Sequence, residues 1–156
     1  MRIRKAEAGD IPAVLRLLSQ VLEIHARIRP DVFIPGSTKY TADELLSIFK
    51  DEKTPVFVAD DGGTVVGYVF CAVREPQFRN TMRPRKTLFI DDLCVEEARR
   101  GERIGETLFR FVRDEAERLG CGDVTLCVWE GNDGAKRFYE RMGMRPKETM
   151  MELAVE

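Results

Sequence analysis

The first half of the chain alternates apolar runs with polar residues in a pattern that predicts one strand and two helices. Ile3 to Lys5 suits a short strand, and Asp10 then precedes apolar residues at helical spacing. We expect Asp10 to cap this helix, and the helix to end before Arg29-Pro30, because a residue that precedes proline disfavours helical geometry. The run TADE, Thr41 to Glu44, is a capping box that predicts a second helix. The apolar face of the first helix consists of Val14, Leu17, Leu18 and Val21.

The pattern in the second half predicts a sheet with two helical connections. Two apolar runs flank Asp61 to Gly63, an Asp-Gly-Gly sequence typical of a hairpin turn. Further strands are predicted at Leu88 to Val95, at Val124 to Trp129 and near Met150 to Val155. Two amphipathic helices lie between them. The first carries Ile104, Leu108, Phe111, Val112, Ala116 and Leu119, and the second carries Ala135, Phe138, Tyr139 and Met142.

The element order defines the fold class. It reads β, α, α, β, β, β, α, β, α, β, and the strand, helix, strand passage in its second half implies a right-handed crossover and a parallel pair of strands inside a mixed sheet. We therefore predict an α/β (α+β) fold with a mixed, mostly antiparallel sheet flanked by helices. A chain of 156 residues suits a single domain spanning residues 1–156.

Composition narrows the function classes. The formal net charge is -2, without the basic surplus of a general nucleic-acid binder, and no apolar run is long enough to cross a bilayer. We expect a cytoplasmic protein with neither nucleic acid nor membrane as partner. His25 is the only histidine, so a two-histidine zinc site is impossible and we expect no metal. The four cysteines lack C-x-x-C spacing and are expected to be reduced and buried.

Two adjacent carboxylates, Asp91 and Asp92, interrupt the apolar run Phe89 to Val95. A buried carboxylate is costly unless it is paired or has a chemical task. Successive strand residues face opposite sides, so without a bulge only one of the two can face a given cleft. The alternative is that both form ion pairs with arginines of the nearby loop.

A glycine and arginine-rich turn, Arg99 to Gly105, connects this strand to the next helix. Free backbone N–H groups and the positive end of the helix dipole meet at such a turn, which favours an anion. Gly101 permits close backbone approach, and Arg99, Arg100 and Arg103 supply charge. Taken alone, the turn is equally compatible with an ordinary solvated loop.

Two segments, LCVEEARRGERIGETL and VWEGNDGAKRFYERMGM, resemble the acetyl-CoA signature of the GNAT family of N-acetyltransferases. The family pattern N-x-x-A-x-x-[FL]-Y-x-x-x-G is matched without a gap. The first pattern, [RQ]-x-x-G-x-[GA], is matched by Arg100 and Gly105, whereas Arg103 replaces its middle glycine. We expect this replacement to be tolerated because a residue at a helix start needs no positive φ. The positions of the second pattern are Asn132, Ala135, Phe138, Tyr139 and Gly143.

The resemblance implies acetyl-CoA as acetyl donor, bound where two central parallel strands, at Leu93 and Val128, splay apart. It implies that the backbone of Leu93, Cys94 and Val95 pairs with the pantetheine arm. Asn132 would contact the cofactor or brace the cleft, or would only cap its helix. The pyrophosphate would be held by Arg100 together with the N–H groups of Gly101, Glu102, Arg103, Ile104, Gly105 and Glu106.

The resemblance also implies roles in proton transfer. Asp91 is the favoured base, because it has the same strand parity as Leu93 and matches the acidic position of the similar spermidine/spermine acetyltransferases; Asp92 would bind the substrate cation. A water chain is the alternative base. Tyr139 would donate a hydrogen bond or proton to the departing thiolate. The glutamate base of ribosomal protein N-terminal acetyltransferases corresponds here to Cys127, which weakens the case for that substrate class.

The acceptor is expected to be a primary amine of a small molecule, polyamine, peptide or protein, entering beside His25 to Tyr40. Asp31 and Glu130, with Asp92, are candidate ligands of a cationic amine. The basic loop before Leu88 could instead attract an acidic acceptor. A non-catalytic acyl-CoA-binding sensor is the alternative function. An apolar terminal strand near Met150 and Met151 would leave a sheet edge to protect, which favours a homodimer.

Overall fold

The computed structural model describes residues 1–156 and contains nine regular elements. A single turn of 3-10 helix precedes α1 and another precedes α3. No helix is long and apolar enough to cross a membrane. The elements are β1 (Arg2–Lys5), α1 (Ile11–Ile28), α2 (Ala42–Lys50), β2 (Val56–Asp61), β3 (Thr64–Arg74), β4 (Thr87–Val95), α3 (Ile104–Arg118), β5 (Asp123–Leu126) and α4 (Asp133–Arg141).

The five strands form one sheet in the order β1-β2-β3-β4-β5, antiparallel except for the parallel pair β4 and β5. Side chains of α1 and α2, including Leu17 and Leu45, cover one face of this sheet. Side chains of α3, including Leu108 and Val112, cover the other, and α4 packs at its margin through Phe138. The predicted mixed α/β fold is therefore confirmed.

Local sequence signals account for most element boundaries. The capping box forms as expected, since the Thr41 side chain accepts from Glu44 N–H and the Glu44 side chain accepts from Thr41 N–H. Helix α1 ends at Ile28, before Arg29-Pro30. Gly62 and Gly63 take positive φ values of 62° and 94° in the turn between β2 and β3, which confirms the predicted hairpin.

Asp10 precedes α1 but does not cap it with its side chain. Its carboxylate instead accepts two hydrogen bonds from Arg4, at 2.8 and 2.9 Å, and one from Glu7 N–H. These contacts hold the pKa of Asp10 below its usual value, mainly through Arg4. Asp10 therefore forms an ion pair with Arg4 instead of the expected cap, and this pair links β1 to the start of α1.

A β-bulge interrupts the pairing of β3 with β4. Phe70 pairs with Asp92 and Cys71 pairs with Ile90, so Asp91 is the extra residue. Directly paired residues point to the same face of a sheet, and an extra residue exchanges the faces of those that follow. Ile90 thus packs on the α3 side, whereas Cys94, with the same parity, packs on the α1 side.

The predicted last strand is wrong. Residues after α4 form neither helix nor strand, and residues 145–156 are all exposed. Strand β5 is also shorter than predicted, since it ends at Leu126 rather than Trp129. The cysteine prediction is correct for Cys71 and Cys94, which are buried, but wrong for Cys127, which is exposed at the end of β5.

Candidate active site

The cleft expected between two parallel strands is present beyond the middle of β4. Pairing of β4 with β5 ends at Ile90 and Leu126, whereas β4 continues to Val95. Residues 92–95 therefore pair with β3 alone, and their other edge faces no strand. An open edge of this kind accepts an extended amide-containing chain by strand-like hydrogen bonding.

The turn between β4 and α3 presents a run of free backbone donors. None of the consecutive N–H groups from Gly101 to Glu106 has an acceptor within the chain, and the first amide bonded to this turn is that of Thr107, which donates to Arg103. Gly101 has φ +89°, a conformation that favours glycine, and this turns the chain toward α3. The arrangement fits an anion with several oxygens, such as a pyrophosphate.

The three arginines of the turn differ in their availability. Arg99 is bound to Asp61 at 2.9 Å and to Glu102 at 2.5 Å, so its charge is already matched. Arg100 and Arg103 have no ion-pair partner in the structure. Of the three arginines predicted from the sequence to supply positive charge, Arg100 and Arg103 remain available to an anion, whereas Arg99 is already paired.

Arg103 has the only positive φ of any non-glycine residue, with φ 62° and ψ 21°. The expectation that this position needs no positive φ is therefore wrong. A left-handed backbone costs a residue with a Cβ atom about 1–2 kcal/mol relative to glycine. The turn therefore holds Arg103 in a strained conformation that glycine would adopt without this cost.

Gly105 lies in the first turn of α3, and Asn132 lies at the start of α4. A Cβ atom at Gly105 would lie 3.4 Å from the ring of Phe138 and 3.6 Å from Val95, so α3 packs closely on α4 and β4 there. The Asn132 side chain accepts from Ala135 N–H at 3.4 Å and caps α4. This hydrogen bond corresponds to the capping role, one of the two roles considered for Asn132.

Asp91 lies exposed on the bulge and accepts a hydrogen bond from Lys39, with Nζ and Oδ2 3.0 Å apart. Lys39 comes from the loop before α2, within the segment expected to admit the acceptor. Its pKa is raised: burial lowers it, but Asp92 and Asp91 together outweigh that effect. A primary ammonium group thus already lies against this pair of carboxylates.

Asp92 occupies a more apolar position than Asp91. The bulge turns it to the α1 side of the sheet, where it accepts a 2.7 Å hydrogen bond from the hydroxyl of Tyr68. Burial raises the pKa of Asp92 to about 6, against the lowering effects of Tyr68 and Lys39. A carboxyl group with this pKa exchanges its proton close to neutral pH.

Tyr139 lies on α4 and packs against the cluster of side chains on the α3 side of the sheet. Its ring packs against Phe138 and Phe109, with centroid distances of 5.1 and 6.2 Å. Burial is the main cause of its raised pKa, and the nearby Asp92 contributes next. Its hydroxyl has no hydrogen-bond partner in the protein. The phenol therefore stays protonated at neutral pH and is free to donate to a bound molecule.

Other predicted site residues lie apart from this pair of carboxylates. Asp31 is bound to Arg29 at 2.7 Å, and Glu130 is almost fully exposed beside Lys136. Neither contacts Asp91 or Asp92. His25 is partly buried, with its ring 5.3 Å from that of Phe33.

Sequence reasoning missed Tyr68 and Lys39. Tyr68 is fully buried in β3, and a buried tyrosine hydroxyl ordinarily has a hydrogen-bond partner. This tendency predicts a polar group within hydrogen-bond distance of the Tyr68 hydroxyl, although it does not identify that group as Asp92. Lys39 carried no signal, since its contact spans 52 residues of sequence.

Comparisons with known proteins agree with this geometry. The model of the acetyltransferase (GNAT) family matches residues 18–144. An uncharacterised N-acetyltransferase of Methanocaldococcus jannaschii is 29% identical over 103 residues, covering 66% of this chain and 44% of the relative. The chain thus spans less than half of that relative. The thialysine N-epsilon-acetyltransferase of Bos taurus is 24% identical over 152 residues, covering 90% of this chain and 82% of the relative.

Solved structures show the same fold. A mutant of the BH1408 protein of Bacillus halodurans superposes with a TM-score of 0.94 at 33% identity, covering the whole of both chains. Because the family model matches well over half of its residues, the chain belongs to the GNAT family of acetyltransferases. Members of this family use acetyl-CoA.

Proposed function

We propose that this protein transfers the acetyl group of acetyl-CoA to a primary amine that binds as a cation at Asp91 and Asp92. The observation that carries the proposal is that Asp92, with a pKa raised by burial to about 6, accepts a hydrogen bond from Tyr68 where β4 has an open edge. Tyr139, whose pKa is raised mainly by burial and further by Asp92, remains a protonated phenol. One group is suited to accept a proton at neutral pH and the other to donate one. Acetyl transfer to an amine requires both.

The residues present fit acetyl-CoA. The donors from Gly101 to Glu106, with Arg100 and Arg103, would hold the pyrophosphate, and the open edge at Leu93, Cys94 and Val95 would pair with the pantetheine amides. Bound there, acetyl-CoA supplies an activated acetyl thioester.

The proposal exchanges the roles that the sequence suggested for the two carboxylates. Asp92 would accept the proton of the acceptor amine, because burial raises its pKa to about 6. Its charge also adds to the effect of burial in raising the pKa of Tyr139. Asp91 would hold the incoming ammonium, since it already accepts a hydrogen bond from the Lys39 ammonium. Tyr139 would deliver its proton to the departing thiolate sulfur.

The acceptor class follows from charge at the open end of the cleft. Arg85 and Lys86 directly precede β4, and Arg85 donates to Gly122 at the start of β5, at the opposite end of these strands from the cleft. At the cleft, Asp91 and Asp92 supply two carboxylates against the single ammonium group of Lys39. A cationic amine is therefore favoured over an acidic acceptor, and a relative named for the ε-nitrogen of thialysine supports the same class. A cytoplasmic location and a homodimer belong to this proposal as well.

The test is release of CoA thiol from acetyl-CoA with a broad panel of amines. Turnover is expected with cationic primary amines, and Asp92→Asn and Tyr139→Phe are each expected to lower kcat by about 10²-fold or more. Acetyl-CoA affinity, measured by calorimetry, should stay unchanged in both variants. Tight acetyl-CoA binding with no turnover on any amine would favour the non-catalytic sensor instead.

A further inference from the structure

Lys39 differs from the other lysines of the chain in what its ammonium group contacts. It is the only one of the seven lysines whose side chain donates a hydrogen bond within the protein, and the acceptor is the carboxylate of Asp91. Lys136 and Lys147 approach carboxylates only to 4.0 and 3.8 Å. The amine of Lys39 therefore lies where the proposed function places the amine of a substrate.

The residue next to Lys39 holds it beside the cleft. The ring of Tyr40 stacks on that of Phe70, with the centroids 5.8 Å apart, and Phe70 in β3 pairs directly with Asp92. The Lys39 ammonium also lies 5.4 Å from the centre of the Tyr40 ring. An amine held in this way reacts at a high effective concentration, which an external amine reaches only by binding.

The ion pair of Lys39 with Asp91 does not lock the amine in place. The two side chains are 41% and 38% exposed, and an ion pair this open to water adds little stability. Thr38, Lys39 and Tyr40 take part in no backbone–backbone hydrogen bond. The amine is thus free to leave Asp91 and move within the cleft.

We propose that Lys39 is acetylated by the protein's own activity, and that the amide so formed releases Asp91 and Asp92 for an external amine. This inference rests on the proposed function, in which acetyl-CoA is the donor. Asp92 takes a proton from the Lys39 ammonium, and the nitrogen lone pair forms a bond to the carbonyl carbon of the thioester as the bond from this carbon to sulfur breaks. Tyr139 gives its proton to the departing sulfur and regains one from water, while the nitrogen loses its second proton to water.

Acetylation changes the charge of the cleft. The amide nitrogen is neutral and no longer pairs with a carboxylate. Asp91 thereby loses its partner, and one of the influences that lower the pKa of Asp92 is removed. The first turnover thus converts a form in which the chain's own lysine occupies the acceptor position into one in which that position is open.

The first experiment follows acetylation of the full chain by peptide mass spectrometry. The protein is incubated with acetyl-CoA that carries an isotopically labelled acetyl group, and no amine is added. Labelling of Lys39 is expected to be at least about tenfold faster than that of Lys50, an exposed lysine at the end of α2, at a rate constant independent of protein concentration. Asp92→Asn should slow labelling of Lys39 by about 10²-fold and leave that of Lys50 unchanged.

Three results of this experiment overturn the inference. They are equal labelling of Lys39 and Lys50, a rate at Lys39 that Asp92→Asn leaves unchanged, and a rate constant that rises with protein concentration, which indicates transfer between copies.

Release of CoA thiol with the amine panel, measured on the same preparation, separates this inference from the proposed function. Turnover of external amines with Lys39 unlabelled overturns the inference and leaves the proposed function standing. Labelling of Lys39 that depends on Asp92, without turnover of any amine, supports the inference and counts against an external acceptor. Absence of both reactions counts against both.

The second experiment measures amine binding without acetyl-CoA. Spermidine is the probe, and its affinity is measured by calorimetry before acetylation and after acetylation and removal of CoA. The acetylated natural protein is expected to bind spermidine about two- to fivefold more tightly, because its ammonium no longer displaces that of Lys39. Lys39→Met, treated in the same way, should bind spermidine equally before and after. Unchanged or weaker binding by the acetylated natural protein overturns the release of the two carboxylates.

Discussion

Replacing Asp92 with asparagine is expected to stabilise the protein at neutral pH while lowering its activity. Asparagine keeps an oxygen that accepts from Tyr68 but removes the charge that burial disfavours. The pKa of Asp92 is raised from 3.8 to about 6, a difference of about two pKa units. At 1.36 kcal/mol per unit, the ionised carboxylate costs the folded state about 3 kcal/mol at most.

The sign of the pH dependence follows from the raised pKa. Between pH 4 and 6 the folded state retains a proton at Asp92 that the unfolded state releases, so this residue's contribution to stability falls as pH rises. Above about pH 7 the full cost is present. The free energy of unfolding of Asp92→Asn, relative to the natural protein, should therefore rise by about 1–3 kcal/mol from pH 4 to pH 8.

Urea denaturation of both proteins across this pH range measures the difference directly. Asp91→Asn is the matched control, because it changes the neighbouring carboxylate but removes only an exposed ion pair with Lys39; its effect should stay below about 1 kcal/mol. A difference for Asp92→Asn that is flat with pH, or an Asp92→Asn variant less stable at pH 8, would refute the buried-carboxylate reasoning.

Three further outcomes are expected. For the pH profile, kcat/KM should rise through an ionisation near pH 6 as Asp92 loses its proton, and a rise that persists unchanged in Asp92→Asn would count against Asp92 as base. For backbone strain, Arg103→Gly should be about 1 kcal/mol more stable to urea than Arg103→Ala, since both remove the charge but only glycine relieves the positive φ; equal stabilities would contradict this. For the acceptor site, Lys39→Met should raise kcat/KM for cationic amines up to about fivefold, because the Lys39 ammonium competes with the substrate for the carboxylates. It should also move the rise near pH 6 to higher pH, because Lys39 lowers the pKa of Asp92. Lys50→Met should have neither effect, and an unchanged pH profile and kcat/KM for Lys39→Met would disprove this competition.

The elements that sequence predicted well depend on local physics. The capping box at Thr41, the hairpin at Gly62 and the helix stop before Pro30 each involve neighbouring residues only. The run of free N–H groups before α3 was predictable for the same reason, since a strand that leads into a helix leaves its first N–H groups free wherever it occurs.

The features that sequence did not predict depend on contacts between distant segments. The bulge at Asp91 exists only in relation to the register of β3, so the parity argument could not anticipate it. Arg99 is matched by Asp61 from the hairpin, a partner 38 residues away. The terminal segment has the composition of a strand, but strand formation needs backbone pairing with a neighbouring edge, and no backbone hydrogen bond joins this segment to β5.

The bulge means that the chemistry of β4 depends on a count of residues as much as on their identity. In a strand of regular pairing, Asp92 would have the same parity as Ile90 and would face α3, away from Tyr68. A single-codon deletion of Asp91 would remove the bulge but leave Asp92 opposite Phe70, so that only the carboxylate in contact with Lys39 would be lost. Relatives with nearly identical sequences can therefore differ in reactivity through the insertion or deletion of a single residue in this strand.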